Sequence, residues 1–139
     1  MSYSQRETYI KAQVASIAEV FGERYGLPVQ LDRQLEYLYL PRFPLPQQWG
    51  ERETPLLIHI PREYPQVPPH GFFLSKLCHG PHVYSREVGR DSKDFSHYGW
   101  NWFCIYCDNG WNPGPSPLDP HNLWTFINAI RVSLTIGEF

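Results

Sequence analysis

The chain has 139 residues and a net charge of −2, with 12 basic and 14 acidic side chains spread thinly along it. This length is typical of one domain, and we expect residues 1–139 to fold as a single unit. The charge pattern offers no basic surface for nucleic acid or an anionic membrane, and no apolar run approaches the roughly 20 residues that cross a bilayer. Nucleic acid and membranes are therefore not expected partners.

The cysteine count and the aromatic content narrow the class of protein further. Three cysteines cannot all pair, and the first residues lack the charged and apolar regions of a secretion signal, so we expect reduced thiols and a cytoplasmic location. The 14 prolines, 5 tryptophans, 9 tyrosines and 8 phenylalanines make the chain too aromatic for disorder and too proline-rich for a helical bundle. The composition favours long ordered loops packed under aromatic rings.

The first element is an amphipathic helix predicted over about residues 5–24. Ser4 and Glu7 have the spacing of a capping box, in which each side chain accepts a free backbone N–H of the other residue. Gly26 and Pro28 end the helix. The apolar side chains that recur at helical spacing are Ile10, Val14, Ile17 and Phe21.

Four short segments rich in Leu, Ile, Val, Tyr or Phe follow, separated by turn residues and prolines, and they are typical of antiparallel strands. They cover residues 29–31, 35–40, 56–60 and 71–75. From there to Trp100 the chain is polar and without periodicity, which predicts a long loop. Loops of this length are often functional.

The last element is a second amphipathic helix before Gly137. Asp119 is suited to cap it and Pro120 to occupy its first position. Its apolar stripe consists of Leu123, Phe126, Ile127, Ile130 and Leu134. The sequence therefore predicts the α+β class, with an N-terminal helix, a four-stranded antiparallel meander, a long loop and a C-terminal helix packed on one sheet.

Four motifs in a fixed order carry a family resemblance. The run Tyr64-Pro65-Gln66-Val67-Pro68-Pro69 is followed ten residues later by His79, then by Cys104 within an apolar segment, and seven residues after that by Trp111-Asn112-Pro113. This order and spacing resembles the ubiquitin-conjugating enzymes over nearly the whole chain. The prolines restrict the backbone to one extended path, and Tyr64 is then expected to pack its ring and hydrogen-bond its hydroxyl.

The resemblance implies that Cys104 is the nucleophile of a carrier enzyme. Such an enzyme accepts a ubiquitin-like modifier from an activating enzyme as a thioester and passes it to a protein target, with no cofactor and no metal. A thiolate suits this role because it attacks acyl groups well and also leaves well. The outer face of the N-terminal helix, with Arg6, Lys11 and Glu19, matches the surface that relatives present to the activating enzyme.

The chain also departs from the family pattern. His79 matches the family's His, but Gly80 and Pro81 follow it where the family has an Asn that supports the oxyanion. His82 and His97 are the candidates to replace that Asn, since an imidazole can donate a hydrogen bond where charge develops. The longer stretch before Cys104 and the short chain are more similar to divergent bacterial members, and a role in antiviral defence follows only by analogy.

Two other interpretations remain open. The spacing Cys104-x-x-Cys107 is that of zinc ligands, and Cys78, His79 or His82 could complete such a set. Alternatively, the chain keeps the fold and binds a ubiquitin-like protein without catalysing its transfer, which the missing Asn favours.

Overall fold

The fold is a mixed α+β arrangement. Along the chain, one helix precedes an antiparallel sheet and a second helix follows it. A computed structural model describes residues 1–26, 28–75, 100–105, 110–119 and 121–136. The helices are α1 (Tyr3–Tyr25) and α2 (Leu123–Ile136), and the strands are β1 (Gln30–Leu31), β2 (Tyr37–Pro44), β3 (Glu53–His59), β4 (Gly71–Ser75) and β5 (Trp100–Cys104). The predicted class and both terminal helices are confirmed, whereas the predicted long loop lies mostly in residues 76–99, outside the described residues.

The sheet has five strands rather than the four predicted. They follow one another in sequence order, and each pairs antiparallel with the next. The fifth strand, β5, pairs with β4 through Phe72 opposite Phe103 and Phe73 opposite Trp102. The prediction of four strands was wrong because β5 is short and its partner lies about 30 residues earlier, so that no local turn signal marks the pairing.

The core lies on one face of the sheet. Leu38, Ile58, Phe72 and Phe103 share one row across strands β2 to β5 and are all buried. They join one buried cluster with the apolar stripes of both helices, including Ile17 of α1. The alternation of side chains along a strand places the neighbouring row, Tyr39, Leu57, Phe73 and Trp102, on the opposite face.

Both helix starts differ from the predicted ones. Helix α1 is capped by Ser2, whose hydroxyl accepts the Gln5 N–H at 3.2 Å while the Gln5 side chain accepts the Ser2 N–H at 2.8 Å. Helix α2 begins three residues after the predicted position, because the Asn122 side chain accepts the N–H groups of Trp124 and Thr125. Asp119 is not the cap. Its carboxylate instead accepts the N–H of Ser116.

The connection between β2 and β3 is tied to the end of α2. A 3₁₀ turn, Gln47–Trp49, buries the Trp49 indole, which donates to the Leu134 carbonyl at 2.8 Å. Gln48 donates to the Thr135 carbonyl at 2.6 Å. These bonds satisfy carbonyls that a helix C-terminus leaves without an internal partner. Within the described ranges, neither helix is long and apolar enough to cross a membrane.

Candidate functional site

Cys104 is the last residue of β5, and hydrogen bonds fix the backbone on both sides of it. It lies opposite Gly71 in the β4–β5 ladder. The next residue, Ile105, donates its N–H to the His70 carbonyl at 2.8 Å. The main chain of the predicted nucleophile is therefore held against the start of β4.

A close approach of two strands marks this end of the sheet. The Trp102 indole covers Gly71, so that a Cβ atom on Gly71 would overlap the ring and lie 2.5 Å from the Phe103 carbonyl oxygen. The same indole packs against Phe73, with ring centroids 4.8 Å apart and an interplanar angle of 57°. Glycine is needed here because the packing leaves no room for a side chain.

The proline-rich run is anchored by Tyr64, as its sequence predicted. The Tyr64 side chain is fully buried, and its hydroxyl donates to Gln13 Oε1 at 2.5 Å. The same oxygen accepts the Leu123 N–H at 3.3 Å, so Gln13 joins α1, the proline-rich run and the start of α2. Burial, and secondarily the neighbouring Tyr9, raises the pKa of Tyr64 well above its ordinary value of 10.0. The Tyr64–Pro65 peptide bond is cis.

Arg6 anchors the start of this run and the chain just before it. Its Nε donates to the Tyr64 carbonyl at 2.9 Å and its Nη2 donates to the Pro61 carbonyl at 3.0 Å. This planar fork uses the geometry that distinguishes Arg from Lys. The sequence had placed Arg6 on the outer face with Lys11 and Glu19. Those two residues are exposed, but Arg6 is partly buried and engaged within the protein.

Lys11 makes a different kind of contact on the same helix. It forms an exposed ion pair with Glu7 at 2.7 Å, one helical turn away. The hydrogen bond that Lys11 donates to the Glu7 carboxylate, and then the charge of that carboxylate, raises the pKa of Lys11. Exposed pairs of this kind contribute little to stability, and the Lys11 side chain remains 61% exposed within the pair.

Trp111 brings the chain that follows Cys104 back to the proline-rich run. Its indole N–H donates to the Pro65 carbonyl at 2.8 Å, and its ring contacts Tyr64 with centroids 6.3 Å apart. Ile105 donates its N–H to the carbonyl of His70, the residue that follows this run. Ile105 and Trp111, the described residues on either side of 106–109, are thus both held against residues 64–71.

His121 supports the Trp111 position and was not predicted from the sequence. Its Nδ1 accepts the Asn112 N–H at 2.8 Å, and its ring stacks on Trp111 with centroids 5.7 Å apart at 20°. A second contact comes from Tyr9, whose hydroxyl donates to the Gly114 carbonyl at 3.1 Å. Burial, and then the charge of Asp119, raises the pKa of Tyr9. No local motif signals these bonds, because each joins a loop residue to a partner fixed by the fold.

The remaining predicted site residues fall outside the described part of the chain. These are the three histidines proposed for catalysis and the two cysteines named with Cys104 in the zinc alternative: His79, His82, His97, Cys78 and Cys107. The structure therefore locates the backbone of Cys104, the Tyr64 run and Trp111, which are three of the four motifs that carry the resemblance.

Comparison of the chain with profiles of known protein families, with curated proteins and with solved protein structures gives no match.

Proposed function

We propose that the protein is a carrier enzyme of the ubiquitin-conjugating type, in which Cys104 accepts a ubiquitin-like modifier from an activating enzyme and transfers it to a protein target. The observation that carries the proposal is the position of Cys104 at the end of β5, opposite Gly71, with the chain after it returning to the Tyr64 run. The sequence motifs that resemble the family are Tyr64-Pro65, Cys104 and Trp111, and these contacts bring them to one end of the sheet.

The chemistry is two successive acyl transfers. The Cys104 thiolate attacks the thioester carbonyl at the modifier's C-terminus, a new C–S bond forms, and the C–S bond to the activating enzyme breaks as that enzyme's cysteine leaves as a thiolate. An amine of the target then attacks the same carbonyl, a C–N bond forms, and the Cys104 thiol leaves as the amine loses a proton. Neither transfer needs a metal or a redox partner, since the modifier arrives already activated.

The anchors around Cys104 suit such a reaction because they fix the backbone of the nucleophile. Cys104 is paired with Gly71 in the ladder, and Ile105 is hydrogen-bonded to His70. These contacts restrict the direction from which Cys104 can approach the thioester carbonyl of the modifier. Under this proposal the oxyanion of each transfer is stabilised by an imidazole of His82 or His97, with His79 in the position of the family's His.

The proposal extends to fold, partners and setting. The α+β architecture is a ubiquitin-conjugating fold, and the partners are the modifier, the activating enzyme and the target, in the cytoplasm. The exposed α1 residues Lys11 and Glu19 contribute to the contact with the activating enzyme. Antiviral defence in bacteria is the pathway suggested by analogy with divergent members.

Reconstitution tests the proposal. Incubation with an activating enzyme, a ubiquitin-like protein and ATP is expected to give an adduct that a thiol reductant removes. Cys104→Ala should abolish the adduct, and Cys107→Ala, the matched control, should leave it intact.

Binding and metal analysis of the same proteins distinguish the competing interpretations. Tight binding of the ubiquitin-like protein with no adduct would identify an inactive binding variant. Stoichiometric zinc that only denaturation releases, and that Cys104→Ala and Cys107→Ala both remove, would identify the zinc module.

A further inference from the structure

The chain after Cys104 returns to the proline-rich run at Trp111, and one further side chain secures that return. Resting on the proposed function, we infer that His121 is a positioning residue, whose imidazole fixes Trp111 and Asn112 on the proline-rich run that leads into β4. Three observations on the described residues support this inference.

The first observation is the hydrogen bond itself. The Asn112 backbone N–H donates to His121 Nδ1 at 2.8 Å, so this nitrogen acts as an acceptor. An imidazole nitrogen accepts only when it carries no proton. The bond therefore requires that Nδ1 carries no proton, as in the tautomer with the proton on Nε2.

The second observation is the ring stacking. The imidazole lies nearly parallel to the Trp111 indole, at 20° and with centroids 5.7 Å apart. The indole makes two further contacts. Its Nε1 donates to the Pro65 carbonyl, and its ring contacts the Tyr64 ring. His121 and the proline-rich run thus hold Trp111 between them.

The third observation is the backbone of His121. Its φ is 65°, in the left-handed region that residues with a Cβ seldom occupy. Histidine occupies this region more often than most residues, and residues held there cluster at functional sites. Asn and Gly adopt the same conformation more readily, which provides substitutions that leave the backbone in place.

Two substitutions separate the acceptor from the backbone conformation. His121→Gly keeps the left-handed conformation and removes the acceptor. His121→Asn also tolerates that conformation, and its Oδ1 can accept the Asn112 N–H in place of Nδ1.

The structural measurement is hydrogen exchange of the Asn112 amide, followed by NMR and expressed as a protection factor. His121→Gly should lower this factor roughly tenfold relative to the wild type, about the loss of one net hydrogen bond, and His121→Asn should keep it. Full protection in His121→Gly, or loss of the protection in His121→Asn, would overturn the inference.

The functional measurement is the rate of thioester formation at pH 7.5. His121→Gly should be slower than the wild type by roughly three- to tenfold, and His121→Asn should match the wild type. Equal rates in His121→Gly and wild type would overturn the positioning role. If no protein, wild type included, forms the adduct, the proposed function fails, while the protection factors still decide whether His121 fixes Asn112.

Discussion

Gly71 and Cys104 lie directly opposite each other where β4 and β5 meet the proline-rich run. The Trp102 indole covers Gly71, and the next residue after Cys104 bonds back to His70. The backbone of the proposed nucleophile is therefore positioned by the packing of one strand end rather than by a local turn. This relationship makes Gly71 a sensitive position although it carries no side chain.

Substitution of Gly71 by Ala is expected to destabilise the protein. The new Cβ would overlap Trp102, and relieving that overlap in a packed sheet costs about 1–3 kcal/mol or more. The measurement is the free energy of unfolding from urea denaturation. Gly22→Ala is the matched control, because nothing lies within 4 Å of a Cβ there and Ala favours helix by about 0.5–1 kcal/mol over Gly. A Gly71→Ala protein as stable as Gly22→Ala would contradict the close approach.

Substitution of Arg6 by Lys should loosen the proline-rich run. A Lys ammonium cannot reproduce the guanidinium fork that bridges the Tyr64 and Pro61 carbonyls, so we expect a loss of about 1–3 kcal/mol of unfolding free energy. Lys11→Ala, on the exposed face of the same helix, should leave the unfolding midpoint unchanged. If Arg6→Lys leaves the unfolding midpoint as unchanged as Lys11→Ala does, Arg6 has no structural role.

The buried hydroxyl of Tyr64 predicts a loss of stability at alkaline pH. The folded protein keeps the Tyr64 proton above pH 10.0, because burial raises its pKa, while the unfolded chain releases it. The unfolded state then binds fewer protons, so the free energy of unfolding falls as pH rises above about 10. Below that pH the contribution of Tyr64 is fully present.

Substitution of Tyr64 by Phe separates this effect from the rest of the protein. The variant should lose about 1–2 kcal/mol near neutral pH, because Gln13 Oε1 loses its hydroxyl donor. Its stability should then fall less steeply above pH 10 than that of the wild type. Denaturant unfolding at several pH values checks this, with a constant difference between the two proteins expected from pH 7 to 9. Parallel curves up to pH 11 would show that Tyr64 does not contribute.

The sequence predicted the fold class and the two helices because their signals are local and periodic. The apolar stripes of α1 and α2 recur at helical spacing, and their members are buried as expected. The exact helix starts were less accessible. Ser2 with Gln5 and Ser4 with Glu7 both fit the capping-box spacing, and only the fold shows that Ser2 is the cap while Glu7 pairs with Lys11.

The surroundings of the site could be predicted only in part. The Tyr64 motif predicted a buried, hydrogen-bonded ring because the prolines and the aromatic lie within one short run. The partners of that run could not be read in the same way, since Arg6, Gln13 and Trp111 reach it from distant parts of the chain. The fifth strand was missed for the same reason, because β5 is specified by its pairing with β4.

The most direct test of the central claim is to trap the modifier on residue 104. Serine forms an ester that a thiol reductant does not cleave, so Cys104→Ser should convert the reductant-sensitive adduct into a reductant-stable one that alkali removes. Peptide mass spectrometry of that adduct should then place the modifier's C-terminus on position 104. An adduct of Cys104→Ser that remains reductant-sensitive, or one that maps to another residue, would contradict the carrier role of Cys104.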